Sequence, residues 1–153
     1  EDQLFQNEGN GTFRDISLEL GKYFSEEHVG RGACIGDYDN DGDLDIFIVN
    51  LNSQSVFLRN NKGSTNNWIM IDLKGTSSNR EGVGARIRIT SGGKSQIAQR
   101  KTTTGYLSQN DPRIHFGLGK NQAVEKIEIK WPSGKVQILE NINANQILKV
   151  IEP

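Results

Sequence analysis

One acidic run of nine residues constrains the fold of this chain more than any other feature. Residues 37–45 read Asp-Tyr-Asp-Asn-Asp-Gly-Asp-Leu-Asp, with carboxylates at alternate positions and a glycine at the sixth. Alternate side chains of a tight loop can point at one centre, and Ca²⁺ takes about six to eight oxygen ligands at roughly 2.3–2.6 Å. The spacing therefore predicts a calcium-binding loop.

The carboxylates of this acidic loop (residues 37–45) need a counter-ion. Two carboxylates about 4 Å apart repel by roughly 4 kcal/mol at an effective dielectric constant of about 20. Gly42 allows the backbone to turn where a Cβ would clash, so that the carbonyl of Asp43 can face the ion. The alternative is a solvated acidic turn, which Asp, Asn and Gly also favour. The predicted side-chain ligands of Ca²⁺ are Asp37, Asp39, Asp41 and Asp45.

The residues after the acidic loop favour a strand over a helix. An EF-hand would place a bidentate Glu at position twelve, where this chain has Ile48, so Asp45 must complete the coordination sphere. Residues 46–49 read Ile-Phe-Ile-Val, an apolar and mostly β-branched run without helical period. We therefore expect the calcium ion to fix a β-hairpin.

Composition sets wide limits on the class of protein. The chain has 153 residues, 34% of them hydrophobic and 24% charged, which is typical of globular domains. Its single cysteine, Cys34, has apolar neighbours and is predicted to be a small buried residue. No apolar run approaches the roughly eighteen residues of a membrane span, and any export signal is expected to lie outside this sequence.

The net charge of −1 hides an asymmetry between the two halves of the chain. Residues 1–62 carry five basic and twelve acidic side chains, whereas residues 63–153 carry thirteen basic and seven acidic ones. The basic half can face the acidic half or an acidic glycan, or its charges can simply be solvated on strand faces. Nucleic-acid binding is not expected, because the basic residues are dispersed and no known binding motif is present.

Frequent turn signals predict an all-β protein with short strands. Residues 1–62 form the first predicted domain, with a helical turn at residues 15–21 and strands on both sides of the acidic loop. A weak repeat of residues 4–7 at residues 57–60 is typical of a propeller blade, although one blade cannot close a propeller. We therefore expect incomplete, propeller-blade-like calcium-binding hairpins, whose unpaired strand edges favour a homodimer.

Residues 63–153 form the second predicted domain. Isoleucines alternate with charged residues at 85–89 and 127–131, and a period of two places the isoleucines inside a sheet. About seven strands of this kind predict an antiparallel β-sandwich or a partly open barrel. The predicted strands cover residues 68–73, 85–89, 96–103, 113–118, 127–131, 136–138 and 146–151.

Two resemblances to known families cover nearly the whole chain. Residues 32–45 closely resemble the FG-GAP or VCBS repeat, the blade unit of calcium-binding propellers. From residue 67 onward the chain resembles the ASPIC/UnbV domain of cartilage acidic protein-like secreted proteins, for example in His-Phe-Gly-Leu-Gly at 115–119 and Trp-Pro-Ser-Gly at 131–134. The second resemblance implies an extracellular setting. The first implies calcium ligation by the side chains of Asp37, Asp39, Asp41 and Asp45 and by the carbonyl of Asp43.

The sequence does not favour an enzyme. It lacks the G-x-S-x-G, H-E-x-x-H, P-loop and G-x-G-x-x-G motifs. Of its two histidines, His28 is interpreted as a loop residue and His115 as a hydrogen-bonded structural residue in a strand. We predict a non-enzymatic adhesion or interaction module, stabilised by Ca²⁺, secreted or at the cell surface, whose ligand is an unknown protein or glycan.

Three other functions fit the same residues. A carbohydrate-binding module would use exposed faces of Trp68, Tyr106 and Trp131, although their apolar neighbours favour core packing. A calcium-dependent hydrolase or lyase would use the bound calcium to hold an acidic polysaccharide. The third is a calcium-rigidified spacer with no ligand of its own.

Overall fold

Short strands make up most of the regular structure, as the turn-rich sequence predicts. The computed structural model describes residues 2–61, here called the first part, and residues 65–153, here called the second part. The predicted domain boundary at residues 62 and 63 lies outside these ranges. No helix within the two parts has the length and apolar character needed to cross a membrane.

The first part holds two small antiparallel sheets. Its elements are β1 (Phe5–Asn7), β2 (Phe13–Asp15), two 3-10 helices (Ser17–Glu19 and Lys22–Ser25), β3 (Gly30–Gly36), β4 (Asp45–Asn50) and β5 (Val56–Leu58). β1 pairs with β2, and β4 lies between β3 and β5. Tyr23, Phe24 and Ile48 form a small core on one face of the second sheet. Cys34 is only half-buried, contrary to the prediction, because it lies on the opposite face beside Phe47.

The predicted helical turn at residues 15–21 contains the first 3-10 helix, Ser17–Glu19, and the second one, Lys22–Ser25, follows it. The N-cap residue of the first helix is Ile16 rather than the predicted Asp15, although the carboxylate of Asp15 accepts a hydrogen bond from the backbone N–H of Ser17 at 2.9 Å. Gly21 has φ of 109°, so the first helix cannot continue into the second as one regular turn.

The second part is a β-sandwich. Its strands are β6 (Asn67–Lys74), β7 (Arg86–Ser91), β8 (Lys94–Gln99), β9 (Ile114–Gly119), β10 (Ala123–Lys130), β11 (Val136–Asn143) and β12 (Gln146–Ile151). One sheet has the order β11-β10-β7-β8 and the other β12-β6-β9; neither of these described sheets closes into a barrel. Their shared core includes Ile69, Ile71, Ile87, Ile89, Ile127, Ile129, Phe116, Val124 and Trp131.

Two details of the second part differ from the prediction. β12 runs parallel to β6, so the sandwich is not purely antiparallel. Alternating hydrophobicity fixes which face a strand buries, but not which strand it lies beside. β8 also begins and ends earlier than the predicted strand at 96–103. Gly92 and Gly93 both have positive φ and make a tight hairpin turn, so pairing with β7 starts at Lys94.

Candidate metal centre

The acidic loop connects β3 to β4, and the hairpin fixes its two ends. Gly36 and Asp45 form the last register pair of these strands, which places Asp37 next to Asp45. Within the loop, Asn40 and Gly42 adopt positive φ of 61° and 95°. Asn and Gly are the residues that tolerate this region best, so the sequence suits the tight turn it must make.

Three of the five predicted aspartates bring their carboxylates together. One oxygen from each of Asp37, Asp39 and Asp45 lies within 4.8 Å of the other two. Two oxygens bound to one Ca²⁺ at roughly 2.3–2.6 Å can be at most about 5 Å apart, so this cluster fits a single ion. Asp37 and Asp45 are each only 3% exposed.

Backbone N–H groups hold the two buried carboxylates in place. Asp37 accepts hydrogen bonds from the N–H of Asp41 at 3.1 Å and of Gly42 at 2.8 Å. Asp45 accepts from the N–H of Tyr38 at 3.1 Å and of Asn60 at 2.8 Å. An ionised carboxylate has about four acceptor positions, so each group retains capacity for a cation.

Asp41 and Asp43 lie outside the three-carboxylate cluster. Asp41 is exposed, and its Oδ1 accepts a hydrogen bond from the backbone N–H of Asp43 at 2.9 Å. The side chain of Asp43 is buried. Ligation by the side chain of Asp41 and by the carbonyl of Asp43 therefore stays a prediction.

Two arginines contact the acidic loop, and neither was anticipated from the sequence. Arg59, just after β5, forms an ion pair with Oδ2 of Asp39 at 2.5 Å. Arg113, just before β9, donates to the carbonyl of Asp37 at 3.1 Å and to Oδ1 of Asn40 at 2.5 Å. The basic second part thus faces the acidic first part at this point.

Asp111 holds the guanidinium of Arg113 in position. Nε and Nη2 of Arg113 donate to the two carboxylate oxygens of Asp111 at 3.0 and 2.5 Å. Burial raises the pKa of Asp111, but the hydrogen bonds from Arg113 outweigh this and hold that pKa below its ordinary value. The same hydrogen bond is the main reason why the pKa of Arg113 is raised.

Gly42 packs against a tryptophan of the second part. A Cβ built on Gly42 would lie 1.9 Å from Nε1 of Trp68, so glycine is required here by space as well as by φ. Trp68 is half-buried and lies outside the sandwich core, in contrast to the expectation of core packing. The ring of His115 stacks near it, with centroids 6.3 Å apart, and its Nε2 lies 2.9 Å from the carbonyl oxygen of Gly42. The structure thus contains His115 as a hydrogen-bonded, structural residue.

The aromatic residues considered for sugar stacking differ in how exposed they are to solvent. Trp131 is buried in the sandwich core, as predicted, and its indole N–H donates to Gln137 at 3.0 Å. Tyr106 is 72% exposed. Stacking on a sugar ring requires an open aromatic face, which Trp131 does not offer.

Comparison with known families matches both parts of the chain. The FG-GAP-like repeat matches residues 1–48, which include the whole acidic loop. The ASPIC and UnbV family model matches residues 75–153, slightly more than half of the chain. The chain belongs to the ASPIC and UnbV family.

Curated relatives of this ASPIC and UnbV chain carry the name cartilage acidic protein 1. The human protein is 32% identical over 149 residues, covering 88% of this chain and 21% of its own length. The mouse protein is 31% identical over 152 residues, with 89% and 22% covered. The Xenopus tropicalis protein is 33% identical over 121 residues, with 70% and 17% covered. The chain thus spans about a fifth of the length of these relatives.

Proposed function

We propose that this chain is a calcium-binding, non-enzymatic interaction module in which Ca²⁺ rigidifies the β3–β4 hairpin. The observation that carries the proposal is the convergence of the carboxylate oxygens of Asp37, Asp39 and Asp45 within 4.8 Å. All the donors are hard oxygens, which suit Ca²⁺ rather than softer metals. The match of the FG-GAP-like repeat over this loop supports the same metal.

The proposed ligands approach the ion from different positions in the acidic loop. Asp37 and Asp45 stand at the two ends of the loop and close it, while Asp39 approaches from its middle. The side chain of Asp41 and the carbonyl of Asp43 complete the oxygen set that the loop can offer. When bound, the ion neutralises the mutual repulsion of these carboxylates and joins the end of β3 to the start of β4.

Mass action then links stability to the calcium concentration. A ligand at a hundred times its dissociation constant stabilises the folded state by about 2.7 kcal/mol. Calcium modules outside cells bind at roughly 0.1–1 mM, so a weak site of this kind suits an extracellular protein. The ASPIC/UnbV resemblance and the cartilage name of the relatives support that setting.

A protein is the partner that the exposed surface supports better than a glycan. Phe47 and Phe57 are exposed on the outer face of the β3–β5 sheet, and Tyr38 of the acidic loop contacts Phe57 edge-on at 5.2 Å. Contiguous exposed apolar side chains are typical of protein interaction sites. Of the three aromatic residues considered for sugar stacking, Trp68, Tyr106 and Trp131, only Tyr106 is well exposed, which is too little for a glycan-binding platform.

Asp39→Asn tests the proposal because it keeps the shape of the side chain and removes one ligand charge. We expect calorimetric titration to show calcium binding by the wild type and its loss, or severe weakening, in Asp39→Asn. The calcium-induced rise in melting temperature should disappear with it. Glu140→Gln, which removes an exposed charge on β11, is the matched control and should behave as the wild type. A wild type whose melting is the same in calcium and in chelator would refute the proposal.

A further inference from the structure

Three side chains of the second part contact the acidic loop, those of Trp68, Arg113 and His115. Arg113 and His115 reach two loop carbonyls, those of Asp37 and Gly42. A carbonyl oxygen only accepts, so Nε2 of His115 carries the proton in this contact. Trp68 lies directly against Gly42 and leaves no space for a side chain there. The path of the loop backbone is therefore set by residues at 68 and 113–115 as well as by the loop itself.

The strand that enters the loop is held by the same segment. The backbone N–H of Ile35 donates to Oδ1 of Asn110 at 3.0 Å, and the N–H of Asp111 donates to the carbonyl of Ile35 at 2.9 Å. A Cβ on Gly36 would lie 3.2 Å from the Cβ of Asp111. Residues 110–111 thus occupy the edge of β3 that faces away from β4. Asp111 joins this edge contact to the loop contact because it also holds Arg113.

We propose that Arg113, oriented by Asp111 and assisted by His115, is a positioning residue for the calcium site. In this arrangement, calcium binding and the docking of residues 110–115 on the first part stabilise each other. The inference rests on the proposed calcium site. A loop held in its binding geometry loses less conformational freedom when the ion binds, which raises affinity. Thermodynamic linkage makes the effect reciprocal, so bound calcium tightens the contact between the two parts.

The charge of Arg113 would by itself have the opposite effect. A guanidinium near a cation site repels the cation, so a residue acting only through charge would weaken calcium binding. Asp111 balances that charge with a bidentate ion pair. Removing Arg113 therefore distinguishes the two roles. Calcium affinity should fall if Arg113 positions the loop, and it should rise if Arg113 acts only through its charge.

The first experiment measures calcium affinity by calorimetric titration of point variants. We expect Arg113→Met to weaken calcium binding by about tenfold and His115→Ala by a smaller factor. His115→Gln should restore most of the loss, since its amide N–H can donate to the Gly42 carbonyl. Arg88→Met, on an exposed position of β7, is the matched control and should leave affinity unchanged.

The second experiment measures hydrogen exchange of backbone amides with and without calcium. In the wild type, calcium should slow exchange in the segment around residues 110–115, far in sequence from the aspartates. In Arg113→Met at saturating calcium, this protection should be lost while protection of the acidic loop remains. A merely structural role would lower melting temperature in chelator but leave calcium affinity and this protection pattern unchanged.

The outcomes separate this inference from the proposed function. If the wild type binds no calcium, both fall. If the wild type binds calcium, but Arg113→Met binds it equally well or more tightly and calcium gives residues 110–115 no protection, only this inference falls. Should Arg113→Met fail to fold by circular dichroism, the His115→Ala and His115→Gln pair supplies the same comparison; equal affinities of these two for calcium would also overturn it.

Discussion

The two parts of this chain bury apolar surface to very different extents. In the second part, six isoleucines from β6, β7 and β10 are completely buried between two sheets. In the first part, the small core of Tyr23, Phe24 and Ile48 remains slightly exposed, and Phe47 and Phe57 face solvent on the other side of the sheet. The second part thus has a large and closed core, whereas the core of the first part is smaller and partly open.

Core truncation should give the largest effect and tests this difference most directly. Ile127→Ala in the second part should lower the free energy of unfolding by about 2–5 kcal/mol, since a fully buried side chain leaves a cavity. Ile48→Ala should cost less, because its smaller and partly open core can adjust. Chemical denaturation of both variants provides the measurement. Equal losses at the two positions would contradict the comparison.

Acid should weaken the second part through Glu152, which follows β12. Burial raises the pKa of Glu152, but hydrogen bonds from the Ser133 hydroxyl, from the N–H groups of Ser78 and Thr76 and from the Ser78 hydroxyl outweigh it, and the pKa falls to about 2. A folded-state pKa below that of the unfolded chain means that stability is fully present above the ordinary value of 4.5 and is lost as pH falls from there toward 2.

Melting curves of the wild type and Glu152→Gln across this pH range check the assignment. The wild type should lose stability between pH 4.5 and 2, and Glu152→Gln should lose less over the same interval while being less stable at pH 7. A parallel decline of the two proteins would assign the acid sensitivity to other carboxylates.

Arg59→Met should give the smallest effect, and one of opposite sign to Arg113→Met. Arg59 pairs with Asp39 and is half-exposed, so it competes with calcium for a ligand. Exposed ion pairs contribute about 0.2–1 kcal/mol, so its removal should raise calcium affinity by roughly 1.5- to 5-fold. Calorimetric titration beside Arg31→Met, a charge-matched control on β3, gives the comparison. Lower affinity in Arg59→Met would show that this arginine supports the loop.

The features that could be predicted from the sequence are those that depend on local periodicity and residue spacing. Alternation of Ile87 and Ile89 with arginines predicted their burial. The aspartate spacing predicted that the side chains of Asp37, Asp39, Asp41 and Asp45 converge, and all of these except Asp41 lie in the cluster. The sequence did not predict the parallel pairing of β12 with β6. Such pairings depend on which elements become neighbours after folding, and a period of two is the same in either direction.

The contacts around Gly42 were missed for the same reason. The glycine itself was predicted from the turn, but the contacts made by Trp68 and His115 join positions that are far apart in sequence. Trp68 opens an apolar strand, so its pattern indicates burial in the core. Only the position of the acidic loop over the end of β6 explains why this side chain packs against Gly42.

The placement of Trp68 against Gly42 gives the unmodified protein two separate optical reporters. The chain has two tryptophans, and the other, Trp131, lies in the sandwich core. Indole emission depends on the surroundings of the ring, so Trp68 reports on the acidic loop and Trp131 on the core. A luminescent lanthanide bound in the aspartate cluster would lie near Trp68. Energy transfer from the indole of Trp68 could then excite the lanthanide without any attached dye.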